Sequence, residues 1–166
     1  MLRESEQIHH PTKRKEFLAS RLVLAEICKQ QSVYDLNIFK TIHGKPFFPE
    51  SKWHFSISHT EKYAVCAIHL ERPIGIDTEK IQSKFEIIAQ KFLTDDEQKV
   101  CENDIGKIAL RWCIKESAYK WNGEKGLNFK TEIVIDSKMN EVLVKDIKNN
   151  IHFEKIDEDH FWAIVY

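Results

Sequence analysis

Residues 73–121 read PIGIDTEKIQSKFEIIAQKFLTDDEQKVCENDIGKIALRWCIKESAYKW, and the hydrophobic period changes within them. Ile74–Asp77 has the short, β-rich character of a strand. From Gln82 to Trp121 the apolar residues recur at helical intervals. Phe85–Phe92 makes one helix, Thr94-Asp95-Asp96-Glu97 reads as a capping box opening a second, and Gly106–Trp121 makes a third. Upstream, residues 12–30 place Phe17, Leu18, Leu22, Leu24, Ala25 and Cys28 at helical spacing, and three β-rich runs follow at Val33–Lys40, Trp53–Ser58 and Tyr63–Leu70. Gly44-Lys45-Pro46, Pro49-Glu50-Ser51 and Arg72-Pro73 supply the turns between them. Downstream of Asn122-Gly123 and Gly126 the pattern is β again, at Phe129–Asp136, Glu141–Val144, Ile151–Lys155 and Phe161–Tyr166. Helix, strands, helices, strands: the expectation is an α+β chain of two related halves, 1–76 and 77–166, packed side by side as one compact unit.

The 166 residues, 42% hydrophobic and 31% charged, suit a soluble globular protein, and no apolar run approaches the roughly 18–20 residues that span a bilayer. The opening MLRESEQIHH has no apolar signal-peptide core, so a cytoplasmic location is expected, with neither membrane nor nucleic acid as partner. The net charge of −1 is uneven. Residues 1–60 hold nine Lys/Arg and six Asp/Glu, a sum of +3, and the remaining residues hold sixteen and twenty, a sum of −4. That split suits an anion site in the first part and a cation site in the second, or is scatter of surface charge. Cys28, Cys66, Cys101 and Cys113 have neither zinc-site nor disulfide-framework spacing and read as reduced, mostly buried thiols.

Three segments carry candidate chemistry. In a strand, Asp77 and Glu79 project to one face with Ile76 and Thr78 on the other; two adjacent carboxylates suit a hard cation such as Mg2+ or Mn2+, or else a strand end turned to solvent. On the helix Trp112-Cys-Ile-Lys-Glu-Ser-Ala-Tyr-Lys120, the wheel puts Lys107, Arg111 and Lys115 on one basic stripe. Glu116 falls in an apolar arc with Lys120, one turn on, or a metal ion as its partner. Trp53-His-Phe-Ser-Ile-Ser58-His59-Thr60 ends a strand with hydroxyls and an imidazole able to bond a phosphate, with the Lys45 ammonium and Arg21 guanidinium upstream. One residue of separation between Ser58 and His59 builds no hydrolase triad.

In order and spacing these segments resemble the 4′-phosphopantetheinyl transferase superfamily, in particular the surfactin-synthetase-activator (Sfp) type. Its signatures are a Gly-(Ile/Val)-Asp-x-Glu strand and, roughly 35–45 residues later, a Trp-x-x-Lys-Glu-(Ser/Ala)-x-x-Lys helix. Here they stand as Gly75-Ile76-Asp77-Thr78-Glu79 and Trp112-Cys113-Ile114-Lys115-Glu116-Ser117-Ala118-Tyr119-Lys120. Gly44-Lys45-Pro46, Phe55-Ser-Ile-Ser58-His59, Phe92-Leu-Thr-Asp-Asp-Glu97 and Lys125-Gly126-Leu127 agree with that type.

The resemblance implies two half-domains packed as a pseudo-dimer with the active site between them. It implies transfer of the 4′-phosphopantetheine arm of coenzyme A to a serine of an apo acyl, peptidyl or aryl carrier protein, releasing adenosine 3′,5′-bisphosphate. Asp77, Glu79 and Glu116 would hold Mg2+, or Mn2+. Arg21, Lys45, Ser58 and His59 would contact coenzyme A phosphates, Glu116 or a metal-bound water it orients would be the base, and Lys120 would steady phosphate charge. A monomer would hold the whole site. Thr78 replaces a usually aliphatic residue, and only about eleven residues precede the first long helix, so an abbreviated first half is expected. A non-catalytic carrier or nucleotide module, and a Mg2+-dependent pyrophosphohydrolase, are the rival readings.

Overall fold

The computed structural model describes residues 2–34 and 36–166. Helix α1 (Leu2–Glu6) leads to α2 (Pro11–Gln30), whose proline stands in the first turn, where no backbone N–H is needed. Two short strands, β1 (Phe39–Lys40) and β2 (Pro46–Phe47), pair across the Gly44 turn, and the longer β3 (Trp53–His59) and β4 (Ala64–Leu70) form a second antiparallel hairpin. Then come β5 (Gly75–Lys80), helices α3 (Lys84–Phe92), α4 (Asp95–Cys101) and α5 (Ile105–Asn122), and strands β6 (Ile133–Ile135), β7 (Glu141–Val144), β8 (Ile147–Lys155) and β9 (His160–Val165). The last four strands and β5 make one antiparallel sheet in the order β5-β9-β8-β7-β6. The chain is thus α+β, and the boundary expected after residue 76 falls inside β5.

Each of the two larger sheets packs against one long helix. Leu24 and Cys28 of α2 pack on Phe48 and Phe55, with Ile57, Cys66 and Ile68 beside them. Cys113, Ile114 and Ala118 of α5 pack on Ile133, Val142, Val144, Ala163 and Val165. All four cysteines are free, three of them buried, as their spacing implied. Burial raises the thiol of half-buried Cys66 to about 12, which keeps it protonated and unreactive. The two sheets share no ladder. Instead Ser56 Oγ accepts from Ile76 N (3.0 Å) and Ser58 Oγ donates to Asp77 Oδ1 (2.6 Å), so serine side chains join β3 to the edge strand β5.

The expected basic stripe on α5 is corrected. Lys107 is surface-bound to Glu102 at 2.7 Å, but Arg111 and Lys115 are buried. Lys115 Nζ donates to Glu97 Oε2 (2.9 Å) and to the carbonyls of Phe92 (2.8 Å), Phe129 (2.8 Å) and Ile133 (2.7 Å). Glu97 is also the capping-box residue of α4, exchanging bonds with Thr94 at 2.8 and 3.1 Å. A wheel records direction around one helix; here α4 and the 129–133 segment close over that direction. Two expected strands are also shorter. Asn128 Oδ1 accepts from Lys130 N and Thr131 N (2.9 and 3.2 Å), a local turn that delays β6 until Ile133. Of the run 33–40 only Phe39–Lys40 is strand, and residue 35 lies outside the described residues.

Gly75 sets the approach of α5 to β5. A Cβ there would lie 1.9 Å from Ser117 O and 2.5 Å from Trp121 N, both backbone atoms that a rotamer change cannot move. Gly75→Ala is therefore expected to lower stability by about 3 kcal/mol, read as the urea unfolding midpoint; a loss below about 1 kcal/mol would contradict this packing.

Candidate active site

The strand alternation that aims Gly75 at α5 also aims Asp77 and Glu79 at it, while Ile76 enters the cluster of Ala67 and Ile74 on the other face. Asp77 is buried. Its Oδ1 accepts from Ser58 and from Lys120 Nζ at 2.6 Å each, and its Oδ2 is buried with no partner. Lys120 also reaches the carbonyls of Ile76 (3.2 Å) and Ile57 (3.4 Å), so one ammonium ties β3, β5 and α5 together at the carboxylate. The local pair expected between Lys120 and Glu116 is replaced by this one. The deeper carboxylate has the greater need of a counter-ion, because less water remains to solvate it.

Glu79 Oε1 accepts from Trp112 Nε1 (2.9 Å), and Lys84 Nζ lies 3.8 Å from its other oxygen. Glu116 is half-buried. Burial and then the Asp77 charge, with Glu79 adding to it and Lys120 opposing, push its carboxyl up to about 7. Burial and Asp77 likewise raise Glu79. Three carboxylates thus crowd one another's field, with Lys120 hydrogen-bonded to Asp77 and Lys84 at longer range from Glu79 as the nearby cations. Among the described residues no three His, Cys, Asp or Glu side chains already stand at metal-holding spacing. The donor set nonetheless fits a hard divalent cation: all oxygen, mutually repelling, with one buried lone-pair atom unused.

Stability against pH tests this crowding. A carboxyl raised from its ordinary 4.5 to about 7 destabilises the folded state increasingly between those values and by a constant amount above them. Without divalent cations, Glu116→Gln is expected to be more stable than the parent by about 2 kcal/mol at pH 8 and equal to it near pH 4.5. Mg2+ should raise the parent's melting temperature and leave the variant's almost unmoved; equal response in both would contradict the assignment of Glu116 to the cation site.

The candidate phosphate contacts divide among three places. Lys45 lines a cavity of about 230 Å3 with His43, Ser56, Lys120 and Lys125. Its Nζ donates to Trp121 O (2.9 Å), and burial lowers it to about 8. His59 lines a second cavity, of about 430 Å3, with Lys13, Thr60, Glu79 and Lys84; its Nδ1 is 3.5 Å from the buried Glu16. Ser58 is spent on Asp77, so its hydroxyl steadies the carboxylate here. Arg21 stands apart: it is buried over the Phe17 ring (4.9 Å) and lines a separate cavity with Glu4, Leu24 and Ala25. Trp112, Ser56 and Glu16 were not singled out as site residues. Trp112 carried a signal, being one turn before Glu116 on the same helix face.

A family model described as the 4′-phosphopantetheinyl transferase superfamily matches residues 73–165, more than half of the chain. The chain belongs to that superfamily. A second model, the 4′-phosphopantetheinyl transferase N-terminal domain, matches residues 4–69, the helix and hairpin that precede β5. Among superfamily relatives, the 4′-phosphopantetheinyl transferase gsp of Aneurinibacillus migulanus is 36% identical over 51% of this chain and 37% of its own. The 4′-phosphopantetheinyl transferase Sfp of Bacillus subtilis (strain 168) is 30% identical over 72% of this chain and 56% of its own. The matches to these transferases thus span between 37% and 56% of the relatives' own length. A solved holo-[acyl-carrier-protein] synthase of Helicobacter pylori in complex with coenzyme A covers 55% of this chain and 96% of that one, with a TM-score of 0.46 and 20% identity.

Proposed function

We propose that this protein transfers the 4′-phosphopantetheine arm of coenzyme A to a serine of an apo acyl or peptidyl carrier protein, releasing adenosine 3′,5′-bisphosphate. One observation carries the reading. Asp77, with an unused buried oxygen, meets Glu116 and Glu79 where the β3–β4 hairpin, the edge strand and the signature helix converge. A pyrophosphate is an electrophile only once its charge is offset, and this junction has both the carboxylates for a cation and lysines for the phosphates.

Asp77, Glu79 and Glu116 would hold Mg2+, which when bound supplies charge neutralisation on the pyrophosphate. Lys120 lines the same cavity as Lys45, which supports reading both ammonium groups as contacts for phosphate oxygens there. His59, in the neighbouring cavity with Lys13 and Lys84, offers a further contact for the anionic nucleotide. The carrier serine must lose its proton as its oxygen attacks the β-phosphorus. Glu116, at the cation site and with no hydrogen-bond partner among the described residues, is the group we assign to accept it. The new serine O–P bond forms as the bridging P–O bond breaks, and the electron pair leaves on the α-phosphate of adenosine 3′,5′-bisphosphate. Every group named comes from one chain, so a single copy is read as the working unit. No helix among the described residues is long and apolar enough to cross a membrane.

The test is release of adenosine 3′,5′-bisphosphate from coenzyme A and Mg2+, followed by chromatography. Release is expected only with an apo carrier that retains its serine. Release without carrier would instead support a pyrophosphohydrolase. His59→Ala is expected to raise KM for coenzyme A roughly tenfold and change kcat less than about threefold; an unchanged KM would remove His59 from the nucleotide site.

A further inference from the structure

Asp157 lies in the β8–β9 turn, far in sequence from every residue of the site, and each of its oxygens has a separate task. Oδ1 serves its own turn, accepting from Asp159 N (2.9 Å) and facing His160 Nδ1 (2.8 Å). Oδ2 crosses to the β3–β4 hairpin, accepting from Lys62 Nζ (2.6 Å) and Tyr63 Oη (2.8 Å). The Tyr63 ring stands edge-on to His160, centroids 5.0 Å apart, so the contact is packed as well as charged. Within the hairpin, Thr60 Oγ1 accepts from Lys62 N and Tyr63 N, and Thr60 N donates to Tyr63 O, which makes residues 60–63 one rigid turn.

That turn follows directly from His59 and carries Thr60, both of which line the cavity that also contains Glu79. Since β3 and β5 share no ladder, the hairpin is oriented on the five-stranded sheet by side chains: Ser56, Ser58 and Lys120 along its length, and at the His59 end the exposed Lys80–Glu61 pair (3.0 Å) and the doubly bonded Asp157. We infer that Asp157 is a positioning residue for coenzyme A, acting through Lys62 and Tyr63 to fix where His59 and Thr60 stand relative to the carboxylates. The inference rests on the transferase reading and assigns Asp157 no contact with substrate. Its carboxyl is held well below the usual range, chiefly by the Lys62 bond, so it stays ionised throughout the pH range of the assay.

The experiment compares parent, Asp157→Asn and Tyr63→Phe proteins by KM and kcat for coenzyme A at saturating apo carrier, and by amide exchange of residues 59–64. Asp157→Asn is expected to raise KM about fivefold with kcat within about twofold, and to speed exchange in that segment while α5 stays protected. Tyr63→Phe, which removes one hydrogen bond and keeps the ring on His160, should act in the same direction by about twofold. In a His59→Ala background, Asp157→Asn should add less than about twofold, because its effect runs through His59. Fully additive effects, or an unchanged KM in an active Asp157→Asn protein, would overturn the inference and leave the transferase reading standing. Absence of transfer by the parent protein would overturn that reading, and this inference with it.

Discussion

Lys115→Ala is expected to lower the unfolding free energy by about 3–5 kcal/mol and the melting temperature by about 10 °C. The ammonium is fully buried, and all three of its protons are taken up among four acceptors, one of them the Glu97 carboxylate. Removing it leaves a buried anion and three carbonyls short of a donor, and opens a void where the stem packed. Lys115→Met keeps most of the stem and isolates the charge, so it should recover only the packing part. Adding Glu97→Gln to Lys115→Met should recover more, since the uncompensated anion goes too. Denaturant unfolding of the four proteins checks this. A loss below about 1 kcal/mol for Lys115→Ala would mean that the buried network is not formed in solution.

Asp77→Asn and Glu116→Gln are each expected to reduce transfer by about 10²–10³-fold or more with the fold retained. Asp77→Asn preserves shape and can still accept from Ser58, so the β3–β5 contact survives while the charge that opposes a cation is lost. Lys120, about a third of whose side chain is exposed, retains two carbonyl partners and some water, so losing its counter-ion costs little stability. Glu116→Gln removes both a proposed cation ligand and the group proposed to take the serine proton. Initial rates with an apo carrier, beside circular dichroism of each variant, separate catalysis from folding. Near-parental rates in both variants would sink the carboxylate assignment.

What was legible in the sequence was local. Asp77 and Glu79 share a face because strands alternate, and Thr94 and Glu97 cap α4 because the capping box is a four-residue device. Both could be read without knowing what packs on them. Lys115 could not, since its role is set by Glu97 and by carbonyls in other elements. The partner of Lys120 was hidden for the same reason. Helical spacing offered Glu116, whereas the choice fell to Asp77, which is more deeply buried. The burial of Arg21 was not legible either, since the spacing that makes α2 amphipathic does not tell that this guanidinium lies inward over Phe17. Asp157 had no signal at all, since one aspartate of an Asp-Glu-Asp turn is indistinguishable from solvated surface charge until the hairpin is seen against it.

The most direct measurement is the intact mass of an apo carrier protein after incubation with this chain, coenzyme A and Mg2+. A gain of about 340 Da, the mass of the phosphopantetheine arm, on the carrier serine, absent with Glu116→Gln, is the predicted result. A carrier whose mass does not change, with the coenzyme A intact or merely hydrolysed, would contradict it.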